Sequence, residues 1–400
     1  MSDPVRHITD DERRARLARR HALAAGHYAA DAEGATRAVV ALHSTEPASV
    51  HLAARARVPD LTRDDVDRAI HDERSLVKQL AMRRTLFVFP RDLLPATWAS
   101  AAARTATSER ARLAKHLVQA GITDDGPAWM ASTGDAVLAA LDACPDGLTT
   151  AELRAVVPAL DVRAGLPSSE IHPGRLITVL GAEASLVRGT NTLHWRAFRP
   201  RWQATHHWLG PQDHPWPTPA EGYVELVRRW LERFGPGTET DLVWWLGATK
   251  GAVRAALASL GAVPVGLDGG TTGYLLPDDL VEEDPVDRPW AALLPVLDPT
   301  VMGWKERGFY LGPHAPDLFD RNGNAGTTAW LDGRVVGCWV QDDDARVHLH
   351  LLEEVGPAGS AALAAQAERL TAWLAGERVS TVYPSPAMKA ARTTLEESRP

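Results

Sequence analysis

Three stretches of this 400-residue chain repeat one order of patterns: three segments with apolar residues at helical spacing, then two short β-like runs around a turn. The third copy is the clearest. Val224, Val227 and Leu231 share a face, Leu242, Trp245 and Leu246 group together, and Val253, Ala256, Leu257 and Leu260 follow the i, i+3, i+4, i+7 template. Residues 263–266 and 274–276 then bracket Asp268-Gly269-Gly270, a turn signal. In the second copy residues 135–141, 148–153 and 172–180 read as helices, and 185–188 and 192–195 flank Gly189-Thr190-Asn191 as a hairpin. In the first, helical patterns over 35–42, from Pro47 to 56 and over 61–73 precede Leu86-Phe87-Val88-Phe89, stopped by Pro90. The first and third wings end alike, FVFPRDLL at 87–94 and YLLPDDLV at 274–281. Three such copies predict tandem winged helices, a mainly α chain with β wings (α+β). Winged helices commonly lay their third helix in a DNA groove, although the same fold also serves as a protein-docking module.

Residues 211–219, PQDHPWPTP, read as a stiff Pro-rich linker, and the acidic run 278–287 marks a second boundary. Beyond it, apolar runs at 293–298, 327–331, 335–340 and 346–351 alternate with turns, and a helix over 360–374 closes the chain. The expected organisation is 1–120 (first winged helix with an opening helix over 10–30), 121–210 (second), 219–284 (third) and 285–400 (a β-rich module). Cys144 and Cys338 are too few for a disulfide framework or a zinc site, and no apolar run suits a membrane span or a signal peptide. A cytoplasmic, nucleoid-associated monomer is expected.

The net charge of −8 hides an asymmetry: residues 1–120 carry 20 Lys plus Arg against 15 Asp plus Glu, or +5, and the remainder carries 23 against 36, or −13. Arginine dominates the basic residues and suits phosphate and base edges. Within the basic third, His43-Ser44-Thr45-Glu46 packs four polar side chains into a break between two helical patterns, just ahead of Pro47. One reading makes Thr45 the N-cap of the following helix. The other makes the stretch a catalytic shelf, with His43 as a weak base, Thr45 holding water, and Glu46 orienting His43 or stabilising a cation. Asp298, in LLPVLDPT, is a second candidate carboxylate, held near a strand end or bonding its own backbone in a turn. Ser44, Arg55, Arg83, Arg84, Lys305 and Arg307 are candidate DNA contacts, of which Arg83 and Arg84 beside LFVF are the best placed for phosphate. His348 and His350, like His206-His207, lack a third donor at a motif distance, so no metal is expected. No Gly-rich phosphate loop opens a helix, and no cofactor is expected.

LLPVLDPTVMGWKERGFYLG at 293–312, FDRNGNAG at 319–326 and WLDGRVVGCWV at 330–340 resemble the C-terminal region of the AlkZ/YcaQ-type winged-helix DNA glycosylases. FGPGTETDLVWWLG at 234–247 resembles that family's third winged helix, and MRRTLFVFPRDL at 82–93 its first wing. The resemblance implies a β-barrel-like C-terminal module, winged helices forming a channel for double-stranded DNA, and excision of alkylated bases. Where the family's best-known members carry Gln-x-Gln, this chain has His43-Ser44-Thr45, with Glu46-Pro47 retained. An alkylated purine is already cationic, so its departure needs a positioned water rather than a general acid. The expected function is that of a DNA glycosylase on alkylated purines; the alternative is a winged-helix DNA-binding protein without catalysis.

Overall fold

Helices begin where short polar side chains can take up the first free amides. In the computed structural model, which describes residues 5–166, 169–172, 174–211, 216–283, 286–287 and 289–397, Thr9, Asp31, Asp125, Thr149, Thr238 and Thr249 each cap a helix with a side-chain oxygen. Thr149 with Glu152, and Thr238 with Asp241, form reciprocal capping boxes. About 50% of the chain is helical and 17% strand, in several small sheets. Among the described residues no helix is long and apolar enough to cross a membrane. Parts of the Pro-rich linker and of the acidic run lie outside the described residues.

The chain divides into two compact units, Met1–Val66 with Val227–Pro400, and Asp67–Leu226. In the first, the helix Asp10–Arg20 follows a short strand, His7–Ile8, which pairs parallel with Val263–Leu267 of the hairpin completed by Thr272–Leu275. Arg16 and Arg20 reach Asp279 at 2.9 and 2.6 Å, fastening that helix to the segment after the hairpin. The helices Glu239–Leu246 and Lys250–Ser259 precede the hairpin. An aromatic cluster of Trp230, Phe234, Trp245, Trp304, Phe309 and Tyr310 forms part of the core.

The C-terminal module is an open sheet, not the barrel that the family resemblance implied. Its strands Ala291–Leu294, Thr328–Leu331, Arg334–Gln341 and Val347–Leu351 pair antiparallel in chain order. Four strands of this length do not curl far enough to close, which takes about eight in small barrels. Two helices cover the sheet instead: Gly356–Leu374 packs on Ala291–Leu294 and Val347–Leu351, and Pro386–Glu397 on Arg334–Gln341.

The second unit holds the hairpin Leu76–Leu80 with Leu86–Pro90, the helices Ala103–Gln119, Gly126–Asp142, Thr150–Val156 and Gly174–Ala182, and the hairpin Leu186–Asn191 with Pro200–Ala204. Its core draws Leu117, Met130, Val137, Leu141, Leu153, Ile177 and Leu186. The second strand of its last hairpin starts at Pro200, later than the expected 192–195. Asn191 explains the shift, since its Nδ2 donates to the carbonyls of Leu193, His194 and Ala197 and folds that stretch into a loop. The helix expected over 35–42 is Ala32–Arg37; Val40 takes φ +65 and Leu42–His43 is extended.

Candidate active site

Val40 starts the site. A β-branched residue with positive φ is a backbone outlier held only by its surroundings, and here it swings the chain from a short helix into the strand Leu42–His43. The strand ends at His43, and Ser44, Thr45 and Glu46 connect it to the helix that starts at Pro47. Of these four residues only Thr45 is exposed: Ser44 is fully buried, and His43 and Glu46 are 7% and 9% accessible. The backbone N–H of Thr45 donates to His43 Nδ1 over 3.4 Å, so in the neutral imidazole the proton sits on Nε2.

Glu46, not Thr45, is the N-cap residue of the helix Pro47–Arg57, and it makes no side-chain cap. Its carboxylate instead accepts from the Thr381 hydroxyl at 3.0 Å and the Val382 N–H at 2.8 Å. A cavity of about 30 Å³ beside it, lined by Glu46, Ser49, Trp339, Gln341, Thr381 and Arg392 among others, has room for one water. One turn further along, the Ser49 hydroxyl donates to the Val296 carbonyl at 2.9 Å and ties the shelf helix to the LLPVLDPT segment.

Asp298 lies inside the protein, 1% accessible, as the N-cap residue of the short helix Pro299–Met302. Its Oδ1 accepts from the Thr300 N–H, and Arg57 grips both oxygens at 2.8 and 2.9 Å in an ion pair whose side chains are 0% accessible. Arg57 also donates to the Thr300 hydroxyl, which meets His21 Nδ1 at 2.9 Å, while His21 Nε2 meets the Arg233 carbonyl at 3.1 Å. Burial, and secondly the Arg57 charge, hold the His21 imidazole well below its ordinary pKa range. His21 is therefore neutral, donating from Nε2 and accepting from Thr300 at Nδ1. His21, Arg57 and Thr300 have no signal in the sequence beyond Thr300 following Asp298-Pro299.

The candidate DNA contacts are dispersed. Lys305 is exposed on a turn whose amides at Lys305 and Glu306 both donate to Asp241 Oδ1, at 2.8 and 2.9 Å. Asp241 Oδ2 closes the capping box with Thr238. One buried carboxylate thus joins the TETD and GWKER motifs. Arg307 lies between the rings of Trp244 and Phe319, 4.8 and 4.6 Å from their centroids, and burial lowers its pKa. Arg55 is half-buried, its pKa lowered by burial and by nearby Arg369.

In the second unit Arg83 and Arg84 occupy the tip of the first hairpin, both at positive φ, 54° and 62°. Arg84 pairs with Glu109 at 2.6 Å on the wall of a cleft of about 580 Å³ that Arg112, His116, His172 and Arg175 also line. Arg175 donates to His116 Nδ1 at 2.8 Å. Desolvation, then Arg175, Arg112 and Lys115, hold the His116 imidazole below its usual range, the mark of a positive local field.

The shelf therefore unites His43 with Thr45, whereas Asp298 and Glu46 bond to structural partners beside it. Comparison with known proteins bears on what this arrangement serves. Residues 36–373 match the family model described as DNA glycosylase AlkZ-like. No curated protein matches the chain. Among solved structures the chain is similar to the Streptomyces sahachiroi DNA glycosylase AlkZ, with a TM-score of 0.67 at 19% identity over 91% of this chain and 96% of that one. With the family model spanning most of its length, the chain belongs to the AlkZ-like DNA glycosylase family.

Proposed function

We propose that this protein hydrolyses the N-glycosidic bond of alkylated purines in double-stranded DNA, with His43 and Thr45 as the groups that hold the attacking water. The observation that carries the proposal is the hydrogen bond from the Thr45 N–H to His43 Nδ1, which ties the two residues together just ahead of the Pro47–Arg57 helix, at the point where related glycosylases present Gln-x-Gln. The water adds to C1′ as the C1′–N9 bond breaks, its proton passes to His43 Nδ1 as the Thr45 N–H releases that atom, and the cationic base leaves neutral with the bonding electrons. Glu46 and Asp298 act as positioning residues, the first fixing the shelf to residues 381–382 and the second fixing Arg57 at the C-terminal end of the shelf helix.

Each helix–helix–helix–hairpin segment is a winged helix on this proposal, in the domain order 1–120, 121–210 and 219–284 ahead of 285–400. Arg84, Arg112 and Arg175 of the basic cleft grip phosphate, with Arg83, Arg55, Lys305 and Arg307 as further contacts. Because the carboxylates of Glu46 and Asp298 are already engaged by protein groups, one competing reading gains support, a protein that binds DNA without cutting the glycosidic bond.

Release of N7-alkylguanine and N3-alkyladenine from a duplex separates the two. His43→Ala is expected to lower release by about 10²–10⁴-fold, the range for general-base assistance, with duplex affinity kept. Wild-type protein that binds the duplex and releases no base would establish the non-catalytic reading.

A further inference from the structure

The adjacent histidines His206 and His207 find in the fold the third donor that their sequence neighbourhood lacks. They sit on the short helix Thr205–Leu209, after the strand Pro200–Ala204, and face Asp142, the last residue of the helix Gly126–Asp142. The Nε2 atoms of His206 and His207 lie 3.3 and 3.4 Å from the same oxygen, Asp142 Oδ1. Both separations exceed the roughly 2.7–2.9 Å of a charge-assisted N–H···O hydrogen bond. They match the edge of a coordination tetrahedron: bonds of about 2.0–2.2 Å from zinc to imidazole nitrogen and carboxylate oxygen put neighbouring ligand atoms about 3.3–3.5 Å apart.

All three donor atoms lie within 4.8 Å of one another. The two rings approach to 4.2 Å between centroids, a costly arrangement for two imidazolium ions but a natural one for two neutral imidazoles sharing a cation. The carboxylate stands at the negative end of a 17-residue helix, where a cation is favoured. With side chains 61%, 30% and 53% accessible, an ion reaches the three donors from bulk water, and solvent completes its shell.

We propose that Asp142, His206 and His207 form a binding site for a divalent transition-metal ion, zinc foremost, that clips the end of the Gly126–Asp142 helix to the Thr205–Leu209 helix. Two imidazoles select zinc, cobalt(II), nickel or copper over the hard ions magnesium and calcium. The site lies wholly within the Asp67–Leu226 unit and does not depend on the glycosylase proposal.

Calorimetric titration of the chelator-stripped full chain with zinc chloride at pH 7.5 tests it. One ion per chain is expected at a dissociation constant on the order of 1–10 µM, and magnesium at the same concentrations gives no heat. His206→Ala/His207→Ala and Asp142→Asn each weaken binding more than tenfold, whereas His116→Ala/His172→Ala leaves it unchanged. Cobalt(II) gives visible absorption bands that disappear in the His206→Ala/His207→Ala chain. The exposed positions leave the metal-free fold intact, which a matching circular dichroism spectrum verifies. Zinc binding that survives the double substitution, or a wild-type dissociation constant weaker than about 100 µM, overturns the proposal.

Discussion

Replacing Asp298 by Ala should unfold the protein more readily than almost any other single change near the shelf. The Arg57 guanidinium has no access to solvent, and the substitution takes away the two bonds at 2.8 and 2.9 Å that balance its charge. It also strips the Thr300 N–H of its acceptor. Breaking one side of a buried pair typically costs about 3–5 kcal/mol, because the surviving charge stays desolvated. That is a large share of the roughly 5–15 kcal/mol by which folded chains are stable. Arg57→Met removes the orphaned charge at similar volume, so Arg57→Met/Asp298→Asn should recover most of the loss. Guanidinium denaturation followed by circular dichroism measures both, and amide exchange of a peptide spanning 295–303 reports the local effect. A double variant that keeps wild-type DNA affinity and base release would place Asp298 outside the chemistry. An Asp298→Ala chain with an unchanged midpoint, or a double variant as unstable as the single, would refute the account.

Acid should act through His21. Its folded pKa lies well below the ordinary histidine value, so the unfolded chain binds the extra proton and stability falls as pH drops below about 6.5, by up to about 1.4 kcal/mol per pH unit. Denaturation midpoints at pH 7.5 and 5.0 measure this, and a His21→Gln chain should lose that part of the slope. Gly237→Ala should destabilise by about 1–3 kcal/mol, since a Cβ there would overlap the Trp230 ring; an unchanged melting temperature would show that the ring yields. Triple replacement of Arg84, Arg112 and Arg175 by Ala should flatten the dependence of duplex affinity on salt by about 0.9 for each phosphate no longer neutralised, and an unaltered slope would remove the cleft from the DNA surface.

Local chemistry was legible at several helix starts and turns. The capping start read at residues 148–153 is the Thr149–Glu152 capping box, and Pro47 marks a first helical turn, whereas the Thr238–Asp241 box lies two residues ahead of the helical pattern read from 240. The third hairpin follows its Asp-Gly-Gly turn. Failures came where distant residues override local preference. Nothing in the neighbours of Val40 foretells a left-handed valine, and the strand Leu76–Leu80 looks ordinary until paired with Leu86–Pro90. The same holds at the site. His43 and Thr45 could be singled out from their setting before Pro47, but the use of Asp298 depends on Arg57 and His21, which reach it only through the fold. Asp241 shows the converse: two motifs recognisable separately turn out to be one hydrogen-bonded unit.

Ser44 gives the sharpest test of how the shelf faces. Its hydroxyl is fully buried and makes no hydrogen bond among the described residues, an arrangement that costs about 1–3 kcal/mol relative to a paired group. Ser44 sits just past the end of the strand, between the buried His43 and the exposed Thr45, where the chain turns toward Pro47. Ser44→Ala removes the unpaired oxygen and one small atom's worth of packing, so stability should rise by up to about 1 kcal/mol. Duplex affinity should not change, because a side chain without solvent access cannot touch DNA unless the shelf opens. A loss of affinity in Ser44→Ala with the fold intact would mean that the strand turns over on binding, with Ser44 rather than its two neighbours presented to the sugar. The assignment of water-holding to His43 and Thr45 would then fall with it.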